Sequence, residues 1–256
     1  MRIVIKVGTS TLAHSTGKLN IRAFEELTKV IADLKNSGHE IILVSSGAIG
    51  MGTGKLGLPA RPKDTPTKQA AAAVGQCELM YMYDKYFGEY HHTVAQMLLT
   101  SDDFEDEEKY NNLSNTLGRL LELQALPVIN ENDTVSTAEL GIGDNDTLSA
   151  LVAVGAKADL LVLLSDIDGL YTADPHRDKN AALIERVEKT DESVFALGGE
   201  SASDLGTGGM KTKLNAAKLV TGAGIDMIIC NGAKPYLLYD IAEGRSAGTR
   251  FIGKKV

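Results

Sequence analysis

Two short clusters of acids and amides, Asn130-Glu131-Asn132-Asp133 and Gly143-Asp144-Asn145-Asp146, carry the densest potential chemistry in the sequence. Asp and Asn also cap helices and close turns. One cap would account for one of these residues, but not for two clusters. Groups of this kind suit recognition of an ammonium group, or the fixing of lysines in place. Two lysines stand out beside them. Lys6 interrupts the apolar run Ile3–Val7, where it must lie on an edge strand, pair with an acid or serve a ligand. Lys213 falls one turn into a predicted helix that opens after Gly206-Thr207-Gly208-Gly209, within reach of an anion at that helix start. Its alternative is a solvated helix face, the reading that suits Lys211 and Lys218.

Glycine-rich segments invite comparison with known phosphate loops. Gly54-Lys55 fails the G-x-x-x-x-G-K-[ST] pattern, because Ile49 and Leu56 occupy the flanking positions. The Gly248–Lys255 segment has the spacing but no Ser or Thr and no helix to follow. Gly52-Thr53-Gly54-Lys55-Leu56-Gly57 matches G-x-G-x-x-G, yet Pro59 and Pro62 would break the helix such a turn opens. P-loop and dinucleotide-binding readings both recede. Three other segments, Lys6–Ser10, Ser45–Gly50 and Gly206–Met210, place small residues just past predicted strand ends or at a helix start. Backbone N–H groups there can approach an anion closely.

These residues need a scaffold, and hydropathy periodicity supplies one. Ile3–Val7, Glu40–Ser45, Thr93–Leu98, Val128–Asn130, Leu160–Leu164 and Asp226–Cys230 read as strands, several apolar on both faces. Helical period marks Ile21–Leu34, Thr67–Tyr83, Leu113–Leu123, Asp146–Val154 and Met210–Val220. Met51–Pro66 and Asp174–Ala182 read as loops. The alternation predicts an α/β fold, a three-layer αβα sandwich with a mostly parallel central sheet, in a single domain over residues 1–256.

Composition narrows the function further. The 256 residues are 43% hydrophobic and 23% charged, so disorder is excluded as the main theme. No apolar run approaches the ~18 residues of a spanning helix, and no signal-peptide core follows Met1. A net charge of −8 with no tryptophan argues against a nucleic-acid partner. The two cysteines and five histidines show no metal-ligand spacing, and a reducing cytoplasm is the expected compartment.

The sequence resembles the amino acid kinase family over essentially its whole length. Broad family features are Lys6–Ser10, the run Ser165-Asp166-Ile167-Asp168-Gly169-Leu170-Tyr171-Thr172-Ala173-Asp174-Pro175 and Gly206–Lys213. Val44–Ile49, Ala73-Val74-Gly75-Gln76, Gln96–Thr100, Pro127–Asp133 and Gly143–Ala150 resemble the branch that acts on glutamate. The resemblance implies ATP-dependent phosphorylation of the γ-carboxylate of L-glutamate, the first step of proline biosynthesis. It implies ATP and Mg²⁺ as cofactors, L-glutamate as substrate, proline as feedback inhibitor and a homo-oligomer, with no membrane partner. Lys6 and Lys213 match two catalytic lysines, and Asp146 the acid that holds them. Ser46, Asp133 and Asn145 match glutamate-binding positions, with Asn130 and Asp144 behind them. Gly8 and Gly47 would add backbone donors. Lys6, Ser165, Asp166, Thr207, Gly208, Gly209, Met210, Lys211, Thr212 and Lys213 match the ATP side. The N-terminal half would thus serve mainly glutamate and the C-terminal half mainly ATP. Many bacterial relatives add a C-terminal PUA domain, and this sequence resembles the short form without it. Phosphorylation of aspartate, N-acetylglutamate or a nucleoside monophosphate, a catalytically idle amino-acid sensor and a dehydrogenase are the competing expectations.

Overall fold

Runs such as Ile3–Val7 and Leu160–Leu164 have no polar face, and a chain of this kind reaches low free energy only as an interior strand covered on both sides. The computed structural model describes residues 1–14, 16, 18–135, 144–175, 177–198 and 209–254. Its first half contains β1 (Arg2–Val7), α1 (Thr9–Leu12), α2 (Ile21–Asn36), β2 (Glu40–Ser45), α3 (Ala48–Lys55), α4 (Thr65–Gly88), β3 (Val94–Leu99), α5 (Asp102–Glu105), α6 (Glu107–Glu122) and β4 (Leu126–Glu131). The second half contains α7 (Asn145–Gly155), β5 (Leu160–Ser165), β6 (Arg186–Val187), α8 (Glu192–Ala196), α9 (Met210–Gly222), β7 (Asp226–Asn231), α10 (Leu237–Ala242) and β8 (Thr249–Phe251).

One eight-stranded sheet runs in the order β3-β4-β2-β1-β5-β7-β8-β6. Every neighbouring pair is parallel except β7 with β8. Helices cover both faces, as the alternating pattern predicts. Ile3, Ile5 and Val7 pack with Phe24, Leu27 and Ile31 of α2 and with Leu79, Tyr83 and Phe87 of α4. Val4, Val44 and Leu163 pack on the opposite face with Leu148 of α7 and Leu214 of α9. Lys6 sits in register with Val44 and Leu163, so the period of two aims it at the α7–α9 layer. It lies in an interior strand, which removes the edge-strand alternative.

The segment Met51–Pro66 departs from its predicted loop. Residues up to Lys55 belong to α3, and Pro66 lies in the first turn of α4, where its missing N–H costs nothing. Glycine spacing hid α3, yet the glycines are what let it dock. A Cβ on Gly52 would lie 1.8 Å from the Ala71 carbonyl oxygen, and one on Gly75 1.7 Å from that of Ala48. The two helices meet backbone to backbone. Such contact is open only to glycine.

The chain leaves β1 toward β2 and leaves β5 toward the opposite edge, so a crevice opens at their carboxyl ends. Among the described residues, no helix is long and apolar enough to cross a membrane.

Candidate active site

That crevice holds a cleft of about 190 Å³ lined by residues from β1, α1, α3, β4, α7, β5 and α9 and by the turns that follow β1, β2 and β5. At its floor Asp146 bridges two lysines. Lys6 Nζ is 2.7 Å from Asp146 Oδ1, and Lys213 Nζ is 3.1 Å from Oδ2. All three side chains are buried. Thr212 Oγ1 lies 2.8 Å from Oδ2 and at hydrogen-bonding distance from the Gly209 carbonyl oxygen as well. Burial alone would push the Asp146 carboxyl up. The charges of Lys6 and Lys213 and the hydrogen bonds from Lys6 and Thr212 outweigh it and hold the group down at about 2. The triad therefore keeps one net positive charge at neutral pH, in a place water barely reaches. A small cationic patch of this kind attracts a phosphoryl or carboxylate oxygen.

Local sequence sets Asp146 in position. Asp144 caps α7 by accepting from the Thr147 N–H at 2.8 Å, and this cap turns Asn145 and Asp146 toward the cleft in the first turn. Lys213 arrives from α9, whose N-terminus begins at Gly209. Gly47, at φ 113°, takes the left-handed conformation that joins β2 to α3 and brings Ser46 to the rim.

Next to the triad lies a polar set. Asn145 Nδ2 donates to Ser46 Oγ at 2.8 Å and to Asn130 Oδ1 at 3.0 Å. Asn130 Nδ2 donates to Gln76 Oε1 at 2.9 Å. Asp133 and Glu131 line the same wall, and Arg61 reaches it from the loop between α3 and α4. Burial raises the Asp133 carboxyl to about 6, Glu131 adds to the rise, and Arg61 opposes it. Asp144 is also raised, chiefly by burial.

Lys6, Gly8, Ser46, Gly47, Asn130, Asp133, Asp144, Asn145, Asp146, Ser165, Asp166 and Lys213 are brought to one cleft. Thr212 touches Asp146 from behind it. Lys211 is exposed on α9, and Met210 packs against the α7–α9 core, so neither side chain lines the cleft. Thr207 and Gly208, like Gly143 and Gly206, lie outside the described residues. Arg61 and Gln76 join the site without a role expected from the sequence. Gln76 had a signal, because it interrupts the buried stripe Ala72, Leu79 and Tyr83 of α4. Arg61, in a proline-flanked loop, had none.

The sequence profile described as the amino acid kinase family matches residues 1–231. The chain belongs to the amino acid kinase family. It is 52% identical to the glutamate 5-kinase of Clostridium tetani, over 97% of this chain and 93% of that one. It is also 52% identical to the longer glutamate 5-kinase of Caldanaerobacter subterraneus, covering all of this chain and 68% of the relative. Among solved structures, carbamate kinase from Giardia lamblia bound to AMP-PNP superposes with a TM-score of 0.69 at 18% identity. That likeness covers 99% of this chain and 98% of the other, and it concerns the fold.

Proposed function

We propose that the chain transfers the γ-phosphoryl group of Mg-ATP to the γ-carboxylate of L-glutamate, giving ADP and L-glutamyl 5-phosphate, the first step of proline biosynthesis. The observation that carries the reading is Asp146 bridging Lys6 and Lys213 beside the Ser46–Asn145–Asn130 set. The near full-length likeness to glutamate 5-kinases supports the choice of acceptor.

The acceptor carboxylate is ionised at neutral pH, so the reaction needs no general base. The enzyme's task is to bring two anions together and to stabilise charge on the transferring group. Lys6 and Lys213 flank that group. Asp146 spaces them and keeps them from repelling each other apart. Backbone N–H groups at Gly8 and Gly47 meet phosphoryl or carboxylate oxygens. Asp133 pairs with the α-ammonium of glutamate, with Ser46 and Asn145 beside it. Ser165, Asp166 and the stretch from Thr207 to Lys213 hold ATP. When bound, Mg²⁺ would come with the nucleotide, since this ion prefers phosphate oxygens and water, and would neutralise phosphate charge there. A single domain would serve both substrates, glutamate mainly through the N-terminal half and ATP mainly through the C-terminal half. Proline as inhibitor, a homo-oligomer and a cytoplasmic setting complete the reading.

Hydroxylamine trapping tests it. L-Glutamate with Mg-ATP should yield hydroxamate and ADP, whereas N-acetylglutamate, which lacks the ammonium, should not. Equal turnover of the two acceptors would refute the assignment.

A pH dependence follows from Asp133. Its carboxyl, raised to about 6, is neutral in acid and charged above that value. Only the charged form attracts the ammonium. kcat/KM for glutamate should therefore be flat at higher pH and fall roughly tenfold per unit below the transition. Asp133→Asn should flatten that acidic limb at a uniformly lower value. Survival of the limb in the variant would assign it to another group.

A further inference from the structure

Gln76 is 7% exposed and lies behind the cleft lining, in an otherwise apolar stripe. Its Oε1 accepts from Asn130 Nδ2. The orientation of the Asn130 amide is fixed from the other side. The backbone N–H of Glu131, which can only donate, meets Asn130 Oδ1 at 2.9 Å, and this turns Nδ2 toward Gln76. Asn130 Oδ1 also takes one hydrogen of Asn145 Nδ2, and Ser46 Oγ takes the other. Both amide hydrogens of Asn145 are then in use, and Asn145 Oδ1 remains buried with no donor. Ser46 Oγ, having accepted, keeps its own hydrogen for an acceptor. Side by side at the cleft wall stand a buried acceptor lacking a donor and a hydroxyl free to donate. Those are the two polarities of an α-amino acid head, an ammonium and a carboxylate.

We infer that Gln76 is a positioning residue: by holding Asn130, it sets the polarity with which Asn145 and Ser46 meet the amino-acid head of the substrate. The inference rests on the glutamate kinase reading above. Without the Gln76 acceptor, the buried Nδ2 of Asn130 has no partner, and Asn130 gains by turning away from Asn145. Asn145 Oδ1 then loses its fixed orientation toward the ammonium.

Gln76→Met keeps length and burial but removes the acceptor, whereas Gln76→Glu keeps an oxygen where Oε1 stands. In Gln76→Met, KM for glutamate should rise by about tenfold or more while KM for ATP stays within about twofold. Gln76→Glu should stay close to the wild-type glutamate KM. In an Asn145→Ala background, calorimetric titration should find that adding Gln76→Met changes glutamate affinity by less than about twofold, because the positioned group is gone. If Gln76→Met does not fold, Gln76→Ala, which cannot clash, gives the same readings. An unchanged glutamate KM would overturn the inference. So would a parallel rise for ATP, failure of Gln76→Glu to rescue, or a full effect persisting in the Asn145→Ala background. A wild-type chain that forms no hydroxamate from glutamate would defeat the underlying reading instead.

Discussion

Lys6→Ala and Lys213→Ala should each lower kcat on the order of 10²-fold or more, with a far smaller change in KM for glutamate. The reason lies in when the charge appears. Electron density builds on the phosphoryl oxygens and the leaving ADP oxygen as transfer proceeds, so a cation fixed beside them acts mostly in the transition state. Each lysine is held to its own oxygen of Asp146, at 2.7 and 3.1 Å, and neither must reorganise to act. Removing one also neutralises the triad, because a single ammonium then faces a single carboxylate. A further loss of electrostatic stabilisation follows. Steady-state kinetics with melting curves of the variants will separate this from unfolding. A folded variant with near-normal kcat would return that lysine to a purely structural role.

Asp133→Ala should weaken L-glutamate and L-proline together, by the ~2–5 kcal/mol typical of breaking a buried hydrogen-bonded charge pair. Both ligands carry an α-carboxylate and a cationic amine, and Asp133 stands on the cleft wall beside Ser46 and Asn145. The titration belongs well above pH 6, where the Asp133 carboxyl, raised to about 6, carries its charge. Calorimetry on the variant with each ligand decides the matter. Glutamate affinity that collapses while proline binding survives would place proline at a separate site and leave the kinase reading intact.

Lys6 shows how far a linear sequence reaches. A lysine inside an apolar strand run must lie on an edge strand, pair with an acid or serve a ligand, so the sequence marked the position, and the interior place of β1 then removed the first alternative. The Asp144–Asp146 cluster is similarly legible, because a cap residue followed by a second acid in the first turn points that acid along a definable face. Strand runs without polar alternation specified a parallel sheet covered on both sides, and the helical period specified its covers.

What no local pattern states is which distant residues meet: only the family resemblance paired Asp146 with Lys6 and Lys213, and nothing paired Gln76 with Asn130. Asp146 and Lys213 are separated by 67 positions, and Asn130 and Gln76 by 54. Those pairings arise from sheet order and register, which depend on the sum of all packing rather than on any local pattern. The glycines of α3 are the sharpest case. By propensity Ala48–Lys55 is a poor helix, and its spacing imitates a nucleotide loop. The helix forms because Gly52 and Gly75 let α3 and α4 touch along their backbones, and burial there outweighs the propensity deficit. Gln76, next to Gly75 in α4, accepts from Asn130. Residue types thus determined which groups could do chemistry, while their polarity and aim were decided by long-range packing, which no local window of sequence contains.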